Sequence, residues 1–162
     1  MFWHNTFIKT FMVNKELMII LISALPLSEL RGGIPLGLYY GFSPLKTFCL
    51  AIIGNSLIIL LLLFFLNFIT NQLKKFKLFA RFFDWLFKKT LAKRGIIDKY
   101  GPFGLMIFTA IPLPYTGAFS ACLLAYLLGI KIKRAAFFIF LGVLIAGIIV
   151  LLASLGVLKV IL

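Results

Sequence analysis

A chain of 162 residues that is 63% hydrophobic and only 13% charged, with a mean hydropathy of +1.14, carries more apolar surface than one soluble core can bury. Its 17 Lys and Arg against 4 Asp and Glu give +13, which in a soluble protein would point to nucleic acid. Here the cations stand beside apolar runs, where they hold cytoplasmic loops and anionic head groups, so the composition argues for an all-α membrane protein and against a nucleic-acid partner.

In chain order, residues 1–14 read as an interfacial N-terminal segment. Lys9, Lys15 and the run Leu17–Leu25 imitate a signal peptide, with Ile22-Ser23-Ala24 as a weak cleavage site. The apolar pattern continues past it through Pro26 and Pro35, which assigns the segment to the mature protein. Leu17–Tyr40 is long enough to cross a bilayer but is interrupted by Pro26, Pro35, Glu29 and Arg31. Residues 44–70 then read as a full transmembrane helix. Its uncharged stretch Thr47–Ile69 is 23 residues, about 34 Å at 1.5 Å per residue, against a hydrocarbon core of about 30 Å.

Residues 71–99 form the linker. Lys74, Lys75, Lys77, Arg81, Lys88 and Lys89 alternate at helical spacing with Leu and Phe, which predicts a basic amphipathic helix in the interface plane, touching anionic head groups. A partner-binding helix is the alternative. Gly95 is the expected terminator. Nine Lys and Arg against two Asp between Lys74 and Lys99 give a net +7 and predict a cytoplasmic linker.

Residues 102–129 are again long enough to span and again interrupted, by Pro112, Pro114 and Gly117. Lys131, Lys133 and Arg134 follow at once. A single crossing would put that cluster opposite the basic linker, so the segment is predicted to enter and return as a re-entrant hairpin. Each limb, about 11 residues or 16 Å, reaches half the core thickness. Residues 132–160 form the second full span, uncharged over Ala135–Leu158, with Gly142 and Ala146 at small-xxx-small spacing.

The interrupted segments resemble each other. Ser23-Ala-Leu-Pro-Leu-Ser28 aligns with Thr109-Ala-Ile-Pro-Leu-Pro114 at an offset of 86, and Gly41 and Gly54 match Gly129 and Gly142 at 88. The predicted architecture is thus an inverted repeat of re-entrant helical hairpin plus transmembrane helix, with repeat 1 over 15–70, repeat 2 over 100–162, and the amphipathic linker between them. Chance similarity between two apolar, proline-containing segments is the alternative.

The strings SALPLSELRGGIPLGLYYGFSP and YGPFGLMIFTAIPLPYTGAFSACLLAYLLGI resemble the small multidrug export protein family, itself distantly related to the DedA/VTT superfamily. The resemblance covers nearly the whole chain after residue 15. It implies the re-entrant, inverted-repeat fold and a transport role. DedA-type proteins carry an arginine motif in the second hairpin; Pro112–Ser120 has none, so proton-coupled or lipid-moving activity does not follow from that tie.

Glu29 and Arg31 are the only charges between Glu16 and Lys46, and an ionisable group inside a membrane segment costs about 2.5–3.5 kcal/mol unless it faces protein or water. They are the candidate transport and coupling residues, Glu29 for a coupling proton and Arg31 for an anionic substrate. In an extended stretch they would share a face and pair, and a purely structural ion pair is the alternative. Gly32, Gly33 and Pro35 would let the backbone turn toward a ligand, with Asn55 as a further lining residue. Pro112, Pro114, Tyr115, Thr116 and Gly117 would supply the opposing tip, where Tyr115 aligns with Glu29 at 86. Cys49, Cys122 and the lone His4 indicate neither a disulfide framework nor a metal or cofactor site. One membrane Glu with no Asp or His also argues against an enzyme.

These features predict a multi-pass cell-membrane exporter of small molecules or ions. The alternatives are a lipid scramblase-like protein and a non-transporting assembly subunit. Two spans and two hairpins enclose little alone, so a homodimer is expected. By parity from a cytoplasmic linker, both termini are expected outside.

Overall fold

The computed structural model describes residues 15–73, 95–111 and 117–161, and every regular element among them is a helix. Two short helices, α1 (Lys15–Ala24) and α2 (Glu29–Tyr39), precede the long α3 (Pro44–Leu73). Three more short ones, α4 (Gly95–Tyr100), α5 (Pro102–Ala110) and α6 (Ala118–Leu127), precede the long α7 (Ile132–Ile161). The cations expected to touch head groups, Lys74, Lys75, Lys77, Arg81, Lys88 and Lys89, fall outside the described residues, as do Pro112, Pro114, Tyr115 and Thr116. Gly95, expected to end the amphipathic helix of the linker, is the first residue of α4.

Pro44–Leu66 and Ile132–Val157, 23 and 26 residues, are long and apolar enough to cross a membrane. Their two faces explain why. One side of α3 buries Ala51, Ile52, Ile59, Leu63 and Leu66, while the other exposes Ile53, Leu57, Leu60, Leu61, Phe64 and Phe65. In α7, Ala135, Ile139, Val143 and Ala146 are buried while Phe137, Ile148, Ile149 and Leu152 stand out. A helix beside water would be polar on its outer side; one apolar all round has hydrocarbon for a neighbour.

The breaks follow the prolines only in part. Pro26 lies in the gap between α1 and α2, where Leu25 N–H bonds to the Ile22 carbonyl and Glu29 N–H to the Leu25 carbonyl. Pro35, expected to interrupt the segment, sits inside α2 instead. Its ring is exposed, and what α2 forgoes there is the one hydrogen bond that the missing N–H would have made to the turn before. Arg31 is therefore helical and Glu29 stands at the first position of α2, so the extended stretch expected around the two charges does not form.

Glycine closes the short helices where the chain must reverse. Gly41 and Gly129 have φ of +80° and +65°. The Gly41 and Phe42 N–H groups bond back to the Leu38 and Gly37 carbonyls, and those of Gly129 and Ile130 to Tyr126 and Ala125. This is one C-terminal cap made twice, and its left-handed residue favours glycine.

Packing joins α1 to both α2 and α3, and α5 to both α6 and α7. The groups cross where α3 meets α6 and α7, and where α2 meets α7. Small residues bring the backbones together. A Cβ at Gly54 would strike the Ile20 carbonyl of α1, and one at Gly142 the Met106 carbonyl of α5. The most enclosed element is α6, in which Ala121, Cys122, Leu123, Leu124 and Ala125 are all buried.

Candidate functional site

The site forms where the gap between α1 and α2 faces the start of α6. Glu29 opens α2 with φ of +46°, the one positive φ among the described non-glycine residues. An L-residue there costs roughly 1–2 kcal/mol and persists where its surroundings fix it. Its carboxylate leaves its own helix for another. The Phe119 N–H, near the start of α6, donates to Glu29 Oε1 at 3.3 Å across 90 residues of sequence. The Ala118 amide acts on the same carboxylate.

The start of α6 explains why a carboxylate belongs there. The first four N–H groups of a helix have no partner within it, and the aligned peptide dipoles make that end positive. The residue preceding α6 is Gly117, which has no side chain to cap them. Glu29 supplies from outside what a Ser or Asp at that position would supply locally. The approach is close enough to require glycine: a Cβ at Gly117 would overlap both carboxylate oxygens.

Arg31 is half-buried two residues along α2, and its charge acts favourably on Glu29. Beside the carboxylate is a small cavity of about 10 Å³, with Pro26, Ile58, Ile59, Leu62, Phe119 and Cys122 among its walls. That is room for about one water.

The other expected site residues are dispersed. Gly33 is buried against Ser23 of α1, and a Cβ at Gly32 would meet Ser28 at the start of its own helix and Ile22 of α1, so both sit inside α2 and neither makes a turn. Pro35 lines a separate apolar groove with Tyr39, Ala153, Ser154 and Val157, at the far end of α2. Asn55 is buried in α3 with no partner for its side-chain oxygen among the described residues, one turn before Ile58 and Ile59 of the cavity wall. Of the expected set, the described residues bring together Glu29, Arg31 and Gly117. Phe119 and Cys122 were not anticipated. The signal for Phe119 was present in the helix that starts after Gly117 with no capping side chain of its own.

Among the described residues every element is a helix, two are long and apolar enough to span a bilayer, and a half-buried carboxylate lies between short helices, features that belong to the class of integral membrane proteins. A family model described as "Putative small multi-drug export protein" matches residues 29–149, starting at Glu29 and covering both sides of its contact with α6. The chain belongs to that family, and export is a role outside enzyme catalysis. No curated protein and no solved structure matches the chain.

Proposed function

We propose that the chain exports small molecules or ions through the junction of two re-entrant hairpins, with Glu29 as the coupling group. The observation that carries this reading is the Glu29–Phe119 contact, a membrane carboxylate held between the two halves of the chain and beside a cavity.

The packing supports hairpins that stop halfway. The limbs α1 and α2 have 10 and 11 residues, about 15–16 Å at 1.5 Å per residue, half the hydrocarbon thickness. Their open ends meet at one end of α3, where Lys15 lies over the Tyr40 ring and Glu16 pairs with Lys46. Their tip lies beside Ile58, Ile59 and Leu62, midway along α3. In the second half, the Phe103 ring of α5 packs at a tilt against Phe138 of α7, while Thr109, near the tip, lies against Gly142. Its open end, at Tyr126 and Gly129, borders Leu63 in the second half of α3, away from the start of α3 where the first hairpin opens, an offset in the direction that entry from opposite faces requires.

The inverted repeat gains support from equivalent contacts. Gly54 on Ile20 becomes Gly142 on Met106 at offsets of 88 and 86, and the two glycine caps repeat at 88. The short helices end in register at an offset of 88, Tyr39 with Leu127, and carrying that offset back to Glu29 pairs it with Gly117 in place of the Tyr115 that the offset of 86 gave. Glu29 therefore meets its own repeat partner, which supports a location near the axis relating the halves.

Proteoliposomes test the function. Proton-gradient-driven uptake of organic cations and anions is expected, with at least tenfold loss in Glu29→Gln. Gradient-independent movement of labelled lipid would establish the scramblase-like alternative, and silence in both assays the assembly role. In this reading Lys99, Lys131, Lys133 and Arg134 join the basic linker on the cytoplasmic side, and both termini are external. A cysteine introduced at residue 2 should react with an impermeant reagent from outside; reaction only from the cytoplasm refutes that orientation. The turn between α1 and α2 exposes Leu27 at 94%. Irregular backbone at that depth needs protein cover, which a second copy of the chain supplies. Crosslinking in native membrane should recover a dimer.

A further inference from the structure

We infer that the Glu29 carboxylate is a latch. By capping the N-terminus of α6 it holds the tip of the first hairpin against the second, and its departure opens the junction. The inference deepens the proposed transport site by naming the contact that closes it, and it rests on three independent features. The carboxylate accepts from the Phe119 amide at the start of a ten-residue helix. The helix lacks a cap of its own because Gly117 precedes it, and a Cβ there would evict the carboxylate. The Glu29 backbone is held at a positive φ, a conformation that the surrounding contacts have to maintain.

A contact of this kind is suited to be broken and remade. It joins elements far apart in sequence through one side chain, and the space beside it already admits about one water. When the carboxylate leaves, the Phe119 and Ala118 amides need another acceptor, and water entering the cavity provides it. Glu29 is thus a positioning residue whose release separates the turn between α1 and α2 from the start of α6, while α5, α6 and α7 stay packed on one another.

The chain contains its own reporter. Cys122 is fully buried one turn into α6 and lines the cavity beside Glu29, while Cys49 is exposed on α3. In a Cys49→Ser background in native membranes, N-ethylmaleimide should label Cys122 slowly. Glu29→Ala and Gly117→Ala should each raise the rate about tenfold, the change in open population that loss of one helix cap brings, with Glu29→Gln in between. A cysteine introduced at the fully buried Ala135, in a background lacking Cys49 and Cys122, should stay unlabelled in the same variants, which separates local opening from unfolding. Unchanged Cys122 labelling, or equal labelling at both positions, overturns the latch.

Should the variants not fold, amide exchange on the unsubstituted chain decides the matter. Phe119, whose N–H has no intrahelical partner, should exchange at least tenfold more slowly than an uncapped first-turn amide; fast exchange there overturns the proposal. Neither readout involves substrate, so a latch without transport and transport without a latch give different results.

Discussion

At Gly33 and Ser23 the two limbs of the first hairpin touch through the absence of a side chain. A Cβ at Gly33 would overlap Ser23 Oγ and crowd Ser23 Cβ at 3.1 Å and the Ile19 carbonyl at 3.3 Å. Gly33→Ala should therefore destabilise by about 1–3 kcal/mol, read as a lower midpoint of thermal unfolding in detergent. Adding Ser23→Gly should recover part of the loss, and strict additivity would show that the two do not share this contact. The serine hydroxyl itself finds no partner among the described residues. Ser23→Ala should consequently leave stability within about 1 kcal/mol of the parent, because no hydrogen bond is lost with it. The residue pattern foretold glycines near Glu29 but gave them the wrong task. Gly32 and Gly33 look alike as flexible turn-formers or as helix-contact residues, and only the neighbour, here Ser28 or Ser23, decides between those uses.

Among elements, legibility tracked the length of the signal. The two long helices follow from hydropathy alone, since an uncharged run of that length has few other places to go. The short helices required prolines as markers. Pro26 marked a real gap, whereas Pro35, on an exposed side, did not break α2. The cap on α6 was hidden because its two partners are 90 residues apart, and local patterns carry no information about that separation. The glycine reversals were legible as a matched pair, and they make a quantitative prediction. Gly41→Ala and Gly129→Ala each force a side chain into positive φ with nothing crowding the new methyl, so each should cost about 1–2 kcal/mol. Equal shifts in thermal midpoint are expected. A large effect at one and none at the other would mean that the two turns, despite the same hydrogen bonds, do different work.

For the whole molecule, the proposed repeat makes Glu29 and Gly117 counterparts, a carboxylate on one side of the axis and the space for it on the other. If the halves are related by a two-fold axis through this contact, the exchange should be reversible. Glu29→Gly alone removes the cap from α6, although it relieves the positive φ at that position. Gly117→Glu alone brings a second carboxylate into the space of the first, with overlap and like-charge repulsion. Each single variant should lose about 1–3 kcal/mol. Combined, Glu29→Gly and Gly117→Glu direct a carboxylate from the second half toward the start of α2, at the Arg31 position that an offset of 88 relates to Phe119. The backbone at 117 is extended, with φ of −153°, so a side chain there meets no backbone strain. The double variant should therefore recover at least half of the summed loss in thermal midpoint, and Cys122 should return to slow labelling. A double variant no better than the sum of its parts would mean that the two halves, however similar their packing, are not equivalent at the point where they meet.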